Sequence, residues 1–448
     1  MSVQEATDTL EQIIETFRHQ SAAETRILIS SLRPAEVANV LESFPPKVRM
    51  VIWDLVDDES QNLTLQHLSE DVRADFLEEM DTAQLVAASD ELDTDDYADI
   101  LQQLPNSIST QVLAALNHRD RTRIEAVLSY DEDSAGGLMN TDTITVRPRH
   151  ALELVFRYLR LRKDLPETTD ALIVVNSRDE YVGMLPFAKL LTSDPTVTVR
   201  EVMDSQASAI AVDMPDTEVA RLFSDEDLIS AAVVDTDGHL LGRITIDDVV
   251  DVIIEDADEA VLARAGLDMD EDTFAPVHRS ARRRAIWLGI NLITAFIAAA
   301  VINLFEETIV KVVALAVLMP IVASMGGIAG TQTLTLVIRG EALGHLGRGN
   351  RLWLLNREFI IAALNGLLWA TLVAITAAVA FQDISLGLVI ATAMIITIVI
   401  AAVAGSLLPA ILRHMNIDPA IAGGVVLTTI TDVTGFFVFL GLASLIYA

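Results

Sequence analysis

The sequence contains no cysteine, which excludes disulfides, thiolate metal sites and thiol nucleophiles. Lysine is scarce as well, with Lys47, Lys163, Lys189 and Lys311 the full complement. There is no P-loop, no nucleophile elbow and no HExxH pair, so hydrolase and kinase chemistry have no footing, and the scattered histidines suggest no ligand set. The opening residues, MSVQEATDTLEQ, lack the basic and apolar stretches of a signal peptide, so the first membrane helix is expected to serve as the insertion signal.

What is abundant is apolar and acidic. Of 448 residues, 51% are hydrophobic, more than one compact core holds, so several domains are expected. Before residue 280 the apolar residues come in short runs broken by charge; after Ile286 they form runs long enough to cross a hydrocarbon layer of roughly 30 Å. The net charge of −33 divides unevenly: from residue 281 on there are seven acids and nine bases, which leaves 57 of the 64 acids and 22 of the 31 bases in the first part. A soluble half near −35 repels nucleic acid and anionic lipid and attracts cations. A merely solubilising surface is the alternative reading of the bulk charge.

Residues 1–130 read as short amphipathic helices separated by Pro and Ser/Asp caps. PAEVANVLESFP at Pro34 to Pro45 matches TDDYADILQQLP at Thr94 to Pro105, an internal repeat that suggests stacked helix pairs in a solenoid-like domain. From about Asp131 to Asp258 the pattern changes to strands alternating with helices, twice over: residues 131–200 carry TITV, ALIVV and YVGM, and residues 201–258 carry AIAV, SAAVVD and LLGRIT. This tandem resembles a CBS-domain pair, a regulatory module that often senses adenosine nucleotides. Thr245 and Asp248 stand where that family's ribose-binding Thr and Asp would be, and Asp248 serves equally as a helix-cap or metal-sensing acid. Unit one has Pro186 and Lys189 at those places, so at most one site, with ATP as its possible ligand, is implied.

Residues 259–284 are expected to form a connecting helix, acidic at its start and basic at its end, RSARRR. The remainder, 285–448, is expected to be an all-α membrane domain of five spans: about Ile286 to Leu304, Val310 to Val337, Phe359 to Phe381, Ile384 to Ile411 and Ala420 to Tyr447. Positive charge before the first span, between the second and third, and at Arg413 places the N-terminus in the cytosol and the C-terminus outside a plasma or inner membrane.

The most informative residue is Asp432, near the middle of the fifth span in TTITDVTG. A carboxylate at that depth costs about 2.5–3.5 kcal/mol on the mildest insertion scale, so it should face water, a cation or a partner helix. Thr428, Asp432 and Gly435 form one stripe at helical spacing. Pro320 and the cluster MGGIAGTQ, with Gly326, Gly327, Gly330 and Gln332, are expected to interrupt the second span, either as an unwound pore wall or as a packing zipper. Mg²⁺ suits such a path because it sheds water reluctantly and can be held through carboxylate, amide and hydroxyl groups. One Asp per chain is thin charge for a dication, and a symmetric dimer would supply a second.

The order of these domains, together with YDEDSAGGLM, LMPIVASMGG, LLPAILRHMNIDPA and TTITDVTG, resembles the MgtE family of magnesium channels and transporters. The resemblance implies a homodimer with a pore lined by the second and fifth spans, Asp432 at the ion-selective site, and closure when Mg²⁺ binds acidic clusters of the cytosolic domains. Members commonly read GGNAGTQ where this chain has Ile328, and carry a polar residue and Pro where it has Gly424 and Val425, which leaves Mn²⁺ or Co²⁺ open as the ion. The sensing candidates are Glu91, Asp95 and Asp96; Asp213, Asp216, Glu218, Asp225, Asp227, Asp247, Asp248 and Asp251; and Glu255, Asp256, Asp258 and Glu259. Asp248, Asp251 and Glu255 put three carboxylates on one helix face, repelling one another until a cation intervenes. Two other readings are a transporter coupled to H⁺ or Na⁺, for which Glu358 is the second titratable membrane residue, and a non-conducting membrane-anchored sensor.

Overall fold

A computed structural model describes residues 22–447 apart from 163–164, 167, 266, 268–271, 343–344, 348 and 416. It divides into two compact units, residues 1–258 with 270–276, and residues 259–269 with 277–448.

Among the described residues, the first unit opens with nine short helices from Ala22–Ile29 to His118–Val127. Side-chain caps start several of them: Asp57 accepts from the Ser60 amide, Asp81 and Gln84 form a capping box, and Asn117 accepts from two amides. The repeat read in the sequence is structural. Pro34–Glu42 and Thr94–Gln103 are both helices, and Pro45 and Pro105 each stand at the N-cap of the helix that follows. A proline cannot continue the preceding helix but suits the start of the next, which fixes the corner. Leu41, Ile52, Leu65, Phe76, Leu85 and Ile100 are fully buried in one core, with Trp53 stacked on Phe76 at 4.3 Å.

The CBS pair consists of two three-stranded sheets of the same plan. In each, a short first strand runs parallel to the second, which pairs antiparallel with the third: β1 Thr145–Val146, β2 Ala171–Val175 and β3 Tyr181–Pro186, then β4 Ile210–Ala211, β5 Ser230–Val234 and β6 Leu240–Thr245. Every residue of β2 is buried, as expected of a strand covered on both faces. The hairpin ends meet: the Tyr181 amide donates to the Gly238 carbonyl and the Leu240 amide to that of Asp179.

Two boundaries differ from the sequence reading. Residues 134–140, assigned there to the first CBS unit, dock on the second: amides of Ala135 and Gly136 donate to carbonyls of Met214 and Val212, and Asn140 exchanges both backbone bonds with Arg243. Ala135 and Met139 are buried in the second unit's core. The glycine pair of YDEDSAGGLM explains itself here, because a Cβ on Gly136 would stand 2.5 Å from the Tyr130 ring and one on Gly137 2.5 Å from a backbone oxygen. Residues 259–284 are not one helix either. Ile246–Ala265 runs straight through the expected boundary, and a new helix, Val277–Asn303, begins after Pro276 and carries the arginines and the first span together.

Among the described residues, the second unit holds five helices long and apolar enough to cross a membrane: Val277–Asn303, Ala314–Ala342, Arg351–Phe381, Ile384–His414 and Pro419–Tyr447. The fourth is the centre of the bundle, with 56% of its most apolar stretch buried against 6% for the first. The second span corrects an expectation: it is helical throughout, across Pro320 and the glycine cluster. Its small residues serve close approach instead of unwinding. A Cβ on Gly326 would meet the Thr397 methyl at 2.7 Å, and a Cβ on Gly330 would touch Leu427 at 3.1 Å.

Candidate ion pathway and acidic sensor

In the fifth span Thr428 is exposed, Asp432 half-buried and Gly435 buried. The threonine hydroxyls turn back on the helix: Thr428 donates to the Gly424 carbonyl, Thr429 to Val425 and Thr434 to Ile430. The Asp432 carboxylate, by contrast, has no hydrogen-bond or ion-pair partner among the described residues, and it lies at mid-span. Gly435, expected on the same polar stripe, packs on Thr397 and Val322. The stripe therefore narrows to Gly424, Thr428 and Asp432. Gly327 of the second span and Gly424 are likewise open, with nothing within 4 Å of a Cβ on either.

Gln332 departs from the expected arrangement. With Thr333, Arg357, Glu358 and Asn365 it lines a separate cavity of 590 Å³ among the second, third and fourth spans. Glu358 is 6% exposed there, accepting from the Thr333 hydroxyl at 3.3 Å and from Arg357 at 2.8 Å.

Between the helical domain and the second CBS unit the acids read as sensor candidates do gather. Asp95 and Asp96 come from the first turn of Thr94–Gln103, Asp248 and Asp251 from the first turns of Ile246–Ala265. Asp95 is 6% exposed and its Oδ1 is a buried oxygen without a partner. Loss of hydration, then Asp248 and Asp96, hold its carboxyl well above the carboxylate range. Burial, followed by Asp248 and Asp93, pushes Asp96 up to about 8. Asp248 is pushed up to about 7 by burial, against the bonds it accepts from Thr245. Glu255 is open to water yet walled by enough protein that lost hydration, then Asp251 and Asp99, push it up to about 7. Asp251 rises through burial, partly countered by His67, whose own value burial lowers.

Other candidates stand differently. Asp216 and Asp256 are both raised, chiefly by burial, and Asp216 also by Asp133, Asp256 and Asp131. Asp225 pairs with Arg221, and Asp227 ends its helix in the left-handed conformation at φ 53°. Glu91 accepts from Asn62, and Asp247 from Thr168. Asp213, Glu218 and Asp258 are exposed, and Glu259 lies one residue beyond on the same helix. For the nucleotide reading, Thr245 is 5% exposed and its amide and hydroxyl both donate to Asp248, the helix-cap role. The buried pair Arg49 and Asp272 was not found from sequence; it carries no local signal because its members are 223 residues apart.

Among the described residues three ligand atoms lie within 4.8 Å of one another only at Asp235, Asp237 and His239, in a surface turn. The crevice acids do not form so tight a group.

Comparison with known proteins identifies the family. Residues 319–442 match the MgtE divalent cation transporter model, 32–133 the MgtE intracellular N domain and 199–255 the CBS domain. The cytosolic domain of the Mg²⁺ channel MgtE, solved in complex with ATP, is 30% identical with a TM-score of 0.50 and covers 54% of this chain and 99% of its own. The chain belongs to the MgtE family. Over 437 residues it is 29% identical to the magnesium transporter MgtE of Bacillus subtilis, covering 97% of this chain and 96% of that one. The magnesium transporter MgtE of Thermus thermophilus is 28% identical over 427 residues, 94% of each chain. An MgtE protein is thus the frame in which Asp432 and the acidic crevice are to be understood.

Proposed function

We propose that this protein is a homodimeric Mg²⁺ channel of the cell membrane, with its N-terminus in the cytosol, that closes when cytosolic Mg²⁺ rises. The observation that carries the reading is Asp432, an unpartnered carboxylate at mid-span on an open stripe with Thr428 and Gly424. An anchor helix needs no such group, and a second copy across that open face supplies the charge a dication requires. The named relatives are magnesium transporters, which supports Mg²⁺ as cargo. The relative solved in complex with ATP supports an adenine nucleotide as a ligand of the cytosolic part, for which the CBS pair is the proposed site.

Gating follows from the crevice. Asp95, Asp96, Asp248, Asp251 and Glu255 repel one another when ionised. With a dication among them the helical domain and the second CBS unit hold together, and without it they part.

The test is divalent flux into proteoliposomes for wild type and Asp432→Asn, with Mg²⁺ titrated on the cytosolic side. Flux lost in the variant and shut off by internal Mg²⁺ in the wild type supports pore and sensor; no flux of any dication from the wild type overturns the channel. The buried Glu358 beside its cavity favours a second reading, coupling to H⁺ or Na⁺. Flux that responds to an imposed proton or sodium gradient and becomes insensitive in Glu358→Gln distinguishes it.

A further inference from the structure

The soluble part of this chain is dominated by acids, yet one cavity of 660 Å³ on the first CBS unit is lined by Arg147, Arg149 and Arg200 with Asn176, Ser177 and Thr198, and by no acid. The fold places the segments that carry these arginines side by side. Arg147 follows β1 directly, and Arg200 sits in the short helix Val199–Val202. Backbone bonds zip the two segments together: Val199 donates to the His150 carbonyl at 2.8 Å and Arg200 to that of Pro148 at 3.0 Å.

Arg147 donates to the Asn176 carbonyl and, at 2.7 Å, to Asp179. Arg149 and Arg200 have no ion-pair partner among the described residues. Elsewhere in this half, where 57 acids precede residue 281, Arg33, Arg49, Arg121, Arg123, Arg162 and Arg221 each pair with an acid. Arg149 and Arg200, with Arg147 shared with Asp179 at the edge, thus converge on a cleft whose lining holds no acid, an arrangement that runs against the charge of the whole domain and suits an anion.

The cleft is distinct from the ribose position of the CBS fold. In the first unit the residues equivalent to Thr245 and Asp248 are Pro186 and Lys189, and Pro186 pairs with Ala171 at the start of β2. Arg147 and Asn176 stand at the opposite end, beyond Val146 and Val175.

We infer that this cleft binds an anion carrying two or more phosphates, gripped by Arg149 and Arg200 and steadied by Arg147 and the Ser177 hydroxyl. Planar guanidinium forks match phosphate oxygens in pairs. The volume exceeds what one tetrahedral anion fills and lies in the usual ligand-site range of about 300–1,000 Å³. Arg147 also bears on the joint between the CBS units, since Asp179, its partner, accepts the Leu240 amide of the second unit. A bound polyphosphate thus reaches the element whose closure with the helical domain is the proposed gate.

The experiment is calorimetric titration of the full chain in detergent, without Mg²⁺ and at physiological ionic strength, with inorganic pyrophosphate and with a short-chain, water-soluble phosphoinositide bisphosphate. The variants are Arg149→Ala/Arg200→Ala, exposed positions whose loss leaves the fold intact, and Lys189→Ala at the other end of the sheet. The expected result is binding weakened at least tenfold in the arginine variant and unchanged in Lys189→Ala. Tighter binding of pyrophosphate identifies a soluble ligand, and tighter binding of the phosphoinositide a lipid headgroup; either supports the site. Equal binding by wild type and arginine variant, loss only in Lys189→Ala, or no binding of either probe overturns it.

Discussion

Arg49 of the helical domain holds both carboxylate oxygens of Asp272, at 2.7 and 2.8 Å, and the pair is almost fully buried at 0% and 6% side-chain exposure. The same guanidinium donates to the Leu41 carbonyl at 2.9 Å, so its donors tie a helix end and the segment around Asp272 into one network. Removing one member of a buried pair leaves the other charge uncompensated, at about 3–5 kcal/mol. Arg49→Met is therefore expected to lower the unfolding midpoint in urea, followed by the fluorescence of Trp53 in the adjoining core. The Arg49→Met/Asp272→Leu double variant is expected to recover much of that loss. A double variant as unstable as the single one would mean that the pair itself is not what the single change removes.

The acidic crevice makes a pH prediction whose sign is fixed by its carboxyls. Asp96, Asp248 and Glu255 all have values raised by the contact, to about 8, 7 and 7. The closed contact thus gains from protonation, fully so below the ordinary carboxylate range near 4, and the gain disappears as pH rises through about 7 to 8. His67, lowered by burial, acts the other way, and only at the acid end. In chelator, limited proteolysis of the segments between the helical domain and the CBS pair should be slower at pH 6 than at pH 8.5, and Mg²⁺ should restore protection at pH 8.5. Protection that ignores pH in chelator would contradict this account.

Neutralising the acids one at a time separates repulsion from ligation. Asp96→Asn removes a charge that burial and Asp248 disfavour. It should increase protease protection in chelator and flatten the dependence of protection on Mg²⁺. Asp225→Asn, whose partner is Arg221 on the same helix, should leave both unchanged. Loss of protection in Asp96→Asn at zero Mg²⁺ would show that the carboxylate stabilises the contact without a cation.

Legibility from sequence tracked how local each cause was. Prolines and caps mark the helices around Pro45 and Pro105, and the doubled strand pattern marks both sheets, because a few adjacent residues decide those features. Asp432 stood out because hydrocarbon makes a lone carboxylate conspicuous. The docking of residues 134–140 on the second CBS unit was not legible, since backbone pairing with Met214, Val212 and Arg243 leaves no side-chain period. Pro320 suggested a break, but in a bundle neighbouring helices tolerate a proline within a continuous helix. Gly435 was placed beside Asp432 by helical spacing and Gln332 at the ion path as part of the glycine cluster, and only packing shows that they turn toward other spans.

The glycines of the bundle separate packing from pathway. A Cβ on Gly405 of the fourth span would stand 2.6 Å from the Gly330 carbonyl oxygen and 3.1 Å from the Leu334 amide nitrogen, both backbone atoms of the second span that no rotamer change can move. Gly405→Ala must push two helices apart, an overpacking cost of about 1–3 kcal/mol or more. A Cβ on Gly327 meets nothing within 4 Å. In detergent, the temperature at which half the protein leaves its size-exclusion peak should fall by several degrees for Gly405→Ala and stay unchanged for Gly327→Ala. If Gly327→Ala also reduces flux at unchanged stability, the open face of the second span borders the ion's route. Equal stability losses in the two variants would instead show that Gly327 is packed against a second copy as tightly as Gly405 is packed within one.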